Sequence, residues 1–148
     1  MHFLYLNQMS SITDYILLTI ITIFPVIALG VMIFFSFIIT PTIFKFLPSA
    51  QAGLYVRKIF PIYYIFNGSI VLISGIAIAF LGVFNPIFYC NVIIFLLFLL
   101  SYFYLMPEIN KAKAKNNKKF KILHNASVAI NIIQILLLIY LTFLLLDF

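Results

Sequence analysis

The chain has 148 residues, of which 66% are hydrophobic and 8% are charged, and its mean hydropathy is +1.23. Soluble domains are about half apolar and about a quarter charged, so this composition excludes an ordinary soluble domain and indicates a membrane protein. A formal net charge of +6 would favour nucleic acid as the partner of a soluble protein. Here every Lys and Arg lies in one of two segments between apolar runs. Membrane topology explains that charge, and no nucleic acid partner is expected.

Four apolar stretches are long enough to cross a bilayer, since about 20 helical residues span ~30 Å of hydrocarbon. The predicted spans are residues 16–39, 61–84, 87–106 and 122–146. Three of them stop beside a proline (Pro41, Pro86 and Pro107), and proline disfavours helix in the residue before it. The runs are apolar on all sides, which favours helices over the alternating pattern of membrane strands. The sequence therefore predicts an all-α fold, a single domain over residues 1–148 with four transmembrane helices.

The basic residues predict the orientation of these spans. Three lie in the first loop and six in the second: Lys45, Arg57 and Lys58, then Lys111, Lys113, Lys115, Lys118, Lys119 and Lys121. The N-terminal segment, the turn at Asn85-Pro86 and the C-terminus carry none. The positive-inside rule then places both basic loops in the cytoplasm and both termini outside. The predicted partners are the lipid bilayer and, near residues 111–121, its anionic headgroups.

The two loops differ in character. Pro48-Ser49 is a fair helix start, and residues 49–60 mix apolar side chains with Arg57 and Lys58. This mixture predicts a short interfacial helix in the first cytoplasmic loop, running into the second span with a bend at Pro61. The second loop, with its run KAKAKNNKK, is typical of a solvated turn.

The second span carries glycines at intervals of seven, Gly68, Gly75 and Gly82, which form one stripe along a helix. Glycine allows a neighbouring helix backbone to come close, so the stripe predicts a helix-packing seam. A thin wall beside a cavity is the alternative, and the seam is favoured.

A polar strip runs along one face of the fourth span. It consists of His124, Ser127, Asn131 and Gln134, and the second span offers Asn67 and Ser74 at similar depths. Polar groups in hydrocarbon need partners, so the strip is expected to face the other helices rather than lipid. Two interpretations stay open: these six residues line a polar pocket open toward the cytoplasm, or they form interhelical hydrogen bonds that fix the register of the helices.

No cofactor or catalytic group is supported by the sequence. The chain has two histidines, and the predicted topology puts His2 outside and His124 near the inner surface, so they cannot share a metal or flank a haem. Cys90 is the single cysteine and cannot form an internal disulfide. One histidine with one carboxylate, Glu108, is too few ligands for a metal site.

Several segments together resemble the transmembrane-protein-205-like domain family, small four-span proteins of mostly unassigned function. The resemblance covers roughly residues 24 to 138 and is carried by FFSFIITPTIF, AGLYVRKIFPIYY, MPEIN and FKILHNASVAINIIQ. Its specific positions are Pro41, Phe44, Phe60, Pro61, Tyr63, Pro107 and Asn110, together with the His124, Ser127 and Asn131 strip. The resemblance implies an integral membrane protein and no established reaction.

The leading functional hypothesis is a non-enzymatic protein of a bacterial inner membrane. It would bind a small solute or assist its passage, or serve as an accessory subunit with protein partners or copies of itself. The alternative is a haem- or metal-dependent membrane oxidoreductase that uses His124.

Overall fold

The computed structural model describes residues 11–146, and at residues 114 and 115 it describes the backbone alone. This part of the chain forms four long helices and contains no β-strand. They are α1 (Ile12–Phe46), α2 (Ser49–Phe80), α3 (residues 86–115) and α4 (Asn117–Leu146). One π-helical turn interrupts α1 at Phe35–Ile39, and another interrupts α3 at Ser101–Leu105. The predicted all-α fold with four membrane-spanning helices is confirmed.

The helices pack as an up-and-down bundle. Each helix contacts the next one along the chain, and α4 returns to contact α1, which leaves α1 opposite α3 and α2 opposite α4. Large apolar side chains such as Ile27, Phe37, Leu96 and Phe143 are exposed around the outside. Such a surface requires lipid rather than water, so the chain is a multi-pass integral membrane protein.

Two of the predicted helix ends are wrong, because α1 runs through Pro41 to Phe46 and α3 runs through Pro107 to Lys115. Each proline is the second residue after a π-helical turn. In those turns the N–H of Thr40 donates to the carbonyl of Phe35, and the N–H of Met106 donates to that of Ser101. A proline ring clashes with the carbonyl four residues earlier, and a widened turn gives that ring room, so the helix can continue.

The first connection is correspondingly short. Leu47 adopts an extended conformation before Pro48, and α2 begins at Ser49, as the Pro48-Ser49 pair predicts. α2 then continues without a break through Pro61, so residues 49–60 form its first turns rather than a separate helix. Their position at the membrane interface stays a prediction.

The second connection, residues 81–85, contains the glycine that the sequence assigns to a packing stripe. Gly82 has φ +69°, a left-handed conformation that glycine adopts readily, and an added Cβ would meet nothing within 4 Å. The N–H of Gly82 donates to the carbonyl of Ala79, and that of Val83 donates to Ile78, which is the Schellman pattern of a helix end. The packing role of Gly82 and the predicted end of the second span at residue 84 are therefore corrected, because Gly82 terminates α2.

The third connection is Asn116 alone, so most of the lysine run is helical rather than the predicted turn. The Asn116 side chain accepts a hydrogen bond from the N–H of Lys119 at 2.9 Å and caps the start of α4. Glu108 on α3 forms ion pairs with Lys111 at 3.1 Å and with Lys119 at 2.8 Å. The second of these pairs ties α3 to α4 across the connection.

The π-helical turns divide the bundle into two halves. We call residues 35–46, 49–64, 101–115 and 117–131 the basic half, because every Lys and Arg lies there. The remaining helical residues, 12–34, 65–80, 86–100 and 132–146, form the apolar half. Most of the fully buried apolar side chains lie in the apolar half, among them Ala28, Val71, Ile94, Leu138 and Leu141.

Candidate functional site

A chamber of about 280 Å³ opens between the four helices of the basic half. Its lining consists of Phe35, Ser36, Thr40 and Phe44 from α1; Gly53, Val56, Arg57, Phe60 and Tyr64 from α2; Met106, Ile109, Asn110 and Lys113 from α3; and Phe120, His124, Ser127, Val128 and Asn131 from α4. Ligand sites in proteins commonly begin near 300 Å³, so the chamber suits a small molecule.

The π-helical turn of α1 explains why polar side chains of that helix reach the chamber. In the apolar half the buried face of α1 follows Ile21, Ala28 and Met32 to Phe35. Beyond the turn, the chamber side is formed by Ser36, Thr40 and Phe44. An uninterrupted helix would continue that face through Ile39, Ile43 and Phe46, which instead border a groove on the outside of α1 and α2. The widened turn adds one residue and thereby rotates Ser36 and Thr40 inward.

Asn131 forms the floor of the chamber and connects three helices. Its Oδ1 accepts a hydrogen bond from the hydroxyl of Tyr63 at 2.9 Å, and its Nδ2 donates to Oγ of Ser36 at 2.9 Å. A side-chain amide has two donor hydrogens and two acceptor lone pairs, so these contacts fix its orientation and leave one of each. The floor can therefore offer both a donor and an acceptor to a ligand.

The walls near the floor are aromatic. The ring of Phe35 stacks on that of Tyr63 at 4.7 Å and meets Phe60 edge-on at 5.5 Å. Closer to the mouth, His124 stacks on Phe120 with ring centroids 5.9 Å apart and an interplanar angle of 10°. Flat, rigid surfaces of this kind favour the apolar part of a ligand over a fully hydrated ion.

The mouth of the chamber is cationic. A Cβ added at Gly53 would lie 2.8 Å from Nζ of Lys113 and 3.9 Å from Nη1 of Arg57, so both cations reach the same small area beside this glycine. Within residues 11–146, neither Lys113 nor Arg57 has a carboxylate at ion-pair distance, and no Asp or Glu lines the chamber. Glu108 is occupied by Lys111 and Lys119. The mouth therefore attracts anions.

The predicted polar strip divides between two places. His124, Ser127 and Asn131 line the chamber, whereas Asn67, Ser74 and Gln134 lie deeper and are fully buried. Nδ2 of Asn67 donates to the carbonyl of Tyr63 at 2.8 Å. Oγ of Ser74 donates to the carbonyl of Ile21 at 3.5 Å and accepts from Nδ2 of Asn91 at 3.3 Å.

The two remaining glycines of the stripe face α3. A Cβ at Gly68 would make an ordinary contact with Cβ of Phe98 at 3.5 Å. A Cβ at Gly75 would lie 2.6 Å from Oδ1 of Asn91, which is closer than unbonded atoms allow. α2 and α3 are therefore in close contact at Gly75, through the Asn91 side chain.

Of the family-motif positions, Phe44, Phe60 and Asn110 line the chamber, and Tyr63 binds Asn131. The prolines lie in helices: Pro41 and Pro107 follow the π-helical turns, and Pro61 lies inside α2. Ser36, Asn91 and the convergence of Arg57 with Lys113 were not identified from the sequence. Ser36 and Asn91 are polar residues inside apolar spans, a signal that identifies the polar strip of α4 as well.

His2 lies outside the described residues. Among residues 11–146, no group of three or more His, Cys, Asp and Glu side chains is arranged to hold a metal ion. The chamber contributes one imidazole, that of His124, and hydroxyl and amide groups.

The family and the relative that match this chain are both uncharacterised. Residues 23–118 match a family described as a domain of unknown function (DUF4149). A relative described as an uncharacterized protein of Aquifex aeolicus (strain VF5) is 37% identical over 111 residues, which cover 74% of this chain and 81% of the relative. No solved structure matches.

Proposed function

Because the chain belongs to the DUF4149 family and crosses the membrane with four helices, we propose that its chamber binds a small organic anion that carries an apolar part. The observation that carries this proposal is the pair of cations at Gly53, Arg57 and Lys113, neither of which has a carboxylate partner within residues 11–146. Two like charges held together are unfavourable unless an anion joins them.

Each part of the chamber has a role in this binding. Arg57 presents a planar fork of N–H donors that suits a carboxylate or a phosphate, and Lys113 adds a second, compact charge. Below them, Phe35 and Phe60 contact the apolar part of the ligand. The ring of Phe120 lies at the mouth, with Nζ of Lys113 over its face at 5.8 Å. The far end of the ligand reaches the free donor and acceptor of the Asn131 amide.

The place of the chamber in the membrane is part of the proposal. The nine basic residues support an orientation with the basic half toward the cytoplasm and both termini outside, in a bacterial inner membrane. The exposed Lys118 and Lys121 there would contact anionic headgroups. The protein would act without catalysing a reaction, either moving the bound anion or serving as an accessory subunit of a complex. A link to the transmembrane-protein-205-like domain family belongs to the same proposal.

The proposal is tested by ligand-dependent stabilisation of the purified protein in nanodiscs. A ligand that binds the folded state alone raises the unfolding temperature with its concentration. Hexanoate is expected to raise it, whereas hexanamide and hexylammonium, which match its shape without its charge, are not. Equal stabilisation by all three compounds, or none by any anion in a panel of aliphatic and aromatic carboxylates and phosphate monoesters, would overturn the proposal.

Charge-neutralising variants locate the effect. Arg57→Gln and Lys113→Gln should each weaken hexanoate binding about tenfold, the effect of losing ~1.4 kcal/mol. Lys58→Gln is the matched control, because Lys58 follows Arg57 in the chain, is exposed and does not line the chamber. An equal loss in Lys58→Gln would mean that general surface charge attracts the anion. A Soret band or a stoichiometric metal in the purified protein would instead favour the oxidoreductase alternative.

A further inference from the structure

Two buried amides, Gln134 of α4 and Asn67 of α2, have hydrogen-bonding atoms that no part of the described protein satisfies. Gln134 is 0% exposed, and neither its Nε2 nor its Oε1 has a partner. Asn67 is also 0% exposed, and its Oδ1 has none. The Ser74 and Asn91 side chains, by contrast, bond to each other.

Unpartnered amides are costly at this depth. Burying an amide without hydrogen bonds is strongly unfavourable, and surrounding hydrocarbon offers no substitute partner. Gln134 cannot turn toward lipid from its present position, since it has no exposed surface at all. Its two amide atoms need a partner that both donates and accepts.

The two amides lie one helical turn beyond the chamber floor. Gln134 follows Asn131 by three residues on α4, and Asn67 follows Tyr63 by four on α2, and these two helices run in the same direction. Because Asn131 and Tyr63 are joined by a hydrogen bond, Gln134 and Asn67 are at nearly the same depth, about 5 Å past the floor. They belong to opposite helices of the bundle, and both side chains are fully buried inside it.

The next helical turn beyond this level is apolar, and the bonded Ser74–Asn91 pair lies further toward the far end. Val71 and Leu138 come one helical turn after Asn67 and Gln134, and Ile94 lies on α3. All three side chains are 0% exposed. The polar level therefore has the chamber on one side and closely packed apolar side chains on the other.

We infer that Asn67 and Gln134 line a hydrated compartment inside the bundle that is reached from the chamber past the Tyr63–Asn131 hydrogen bond and is closed toward the far end. Its occupant is water, the smallest molecule that donates and accepts at once, and a buried water commonly makes about three hydrogen bonds. Oε1 and Nε2 of Gln134 with Oδ1 of Asn67 supply that number. The inference does not depend on anion binding, because it uses none of the cations at the mouth.

Cysteine accessibility tests the compartment. In a Cys90→Ala background, Asn67→Cys and Gln134→Cys are each compared with a control one turn further along the same helix, Val71→Cys and Leu138→Cys, which replace side chains that are also 0% exposed. The reagent is 2-aminoethyl methanethiosulfonate, a small polar compound that reacts with thiolates, which form in contact with water. Labelling is followed by intact-protein mass spectrometry in nanodiscs.

The expected result is labelling at Asn67→Cys and Gln134→Cys at least tenfold faster than at their controls. Rates equal to those of the controls would overturn the inference and show a dry contact between the two amides. Equally fast labelling at all four positions would overturn it too, because the water would then not be confined. Each variant is compared only with the control on its own helix. If a variant of one helix fails to fold, as judged by gel filtration, the pair on the other helix still decides the question.

Discussion

The two halves of the bundle are built from the same four helices but differ in how those helices meet. In the apolar half, α2 and α3 come so close at Gly75 that a single added carbon would collide with Asn91, and apolar side chains fill the axis. In the basic half, the same helices separate around a chamber of about 280 Å³. Small residues and close contact hold membrane helices together, whereas a ligand needs the space that such contact removes. The apolar half therefore supplies stability, and the basic half is free to bind.

The difference has a local cause at the boundary. The π-helical turns of α1 and α3 lie at this level, and each precedes a proline. α2 contains Pro61 without such a turn. Two of the four helices thus change which face they present to the axis, and the other two keep theirs.

The largest expected effect is on chemical labelling: each end of the bundle should react from one side of the membrane and not from the other. In a Cys90→Ala background, Lys118→Cys should react with an impermeant maleimide only from the cytoplasmic side, because the positive-inside rule keeps that end inside. Phe84→Cys, in the exposed turn at the far end, should react only from outside. Reaction of Lys118→Cys from outside intact cells would reverse the assignment of the basic half to the cytoplasm.

The next effect concerns packing in the apolar half. Gly75→Leu should lower the free energy of unfolding by about 3 kcal/mol, since a large side chain must push α2 and α3 apart. Leu72→Ala, at a position that is 41% exposed, should cost much less because lipid fills the space. Chemical denaturation in mixed micelles measures both values. Similar stabilities for the two variants would mean that Gly75 is not at a close contact.

A smaller effect on stability, with a clear effect on binding, is expected in the basic half. Asn131→Leu removes the hydrogen bonds to Tyr63 and Ser36, which in membranes are worth about 0.6 kcal/mol each on average. The variant should fold and bind hexanoate at least tenfold more weakly. Asn125→Leu, an exposed position on the same helix, is the control. Unchanged binding in Asn131→Leu would leave the Asn131 contacts as register-fixing bonds alone.

The smallest effect is expected at the surface of the basic half. Glu108→Gln breaks the ion pairs to Lys111 and Lys119, and exposed ion pairs contribute little. The unfolding temperature should fall slightly at low salt, and the difference from the native protein should shrink as salt screens the charges. A large loss that persists at high salt would mean that Glu108 holds the α3–α4 connection through more than charge.

The sequence predicts the fold because hydrocarbon imposes simple requirements on composition. Length and apolarity identify the four spans, and spacing puts His124, Ser127 and Asn131 on one face, where the structure finds them lining one chamber. Pro41 and Pro107 mislead because the effect of a proline depends on the turn before it, and no local pattern predicts a π-helical turn. Gly82 misleads because a periodic glycine and a terminating glycine look alike in sequence. The approach of Arg57 to Lys113 depends on helix positions that only the packed bundle defines.

The length of α2 has a consequence for the lipid around it. Its 32 residues measure about 48 Å, well over the ~30 Å of a typical hydrocarbon layer. Arg57 lies 23 residues before Phe80, or about 35 Å from the far end, so we expect the mouth of the chamber to lie where the acyl chains give way to headgroups. A bilayer with longer acyl chains brings hydrocarbon up the chamber wall, and a thinner one leaves it bathed in water. With the mouth at that level, we expect membrane thickness to set how much water reaches it and how strongly its two cations attract an anion.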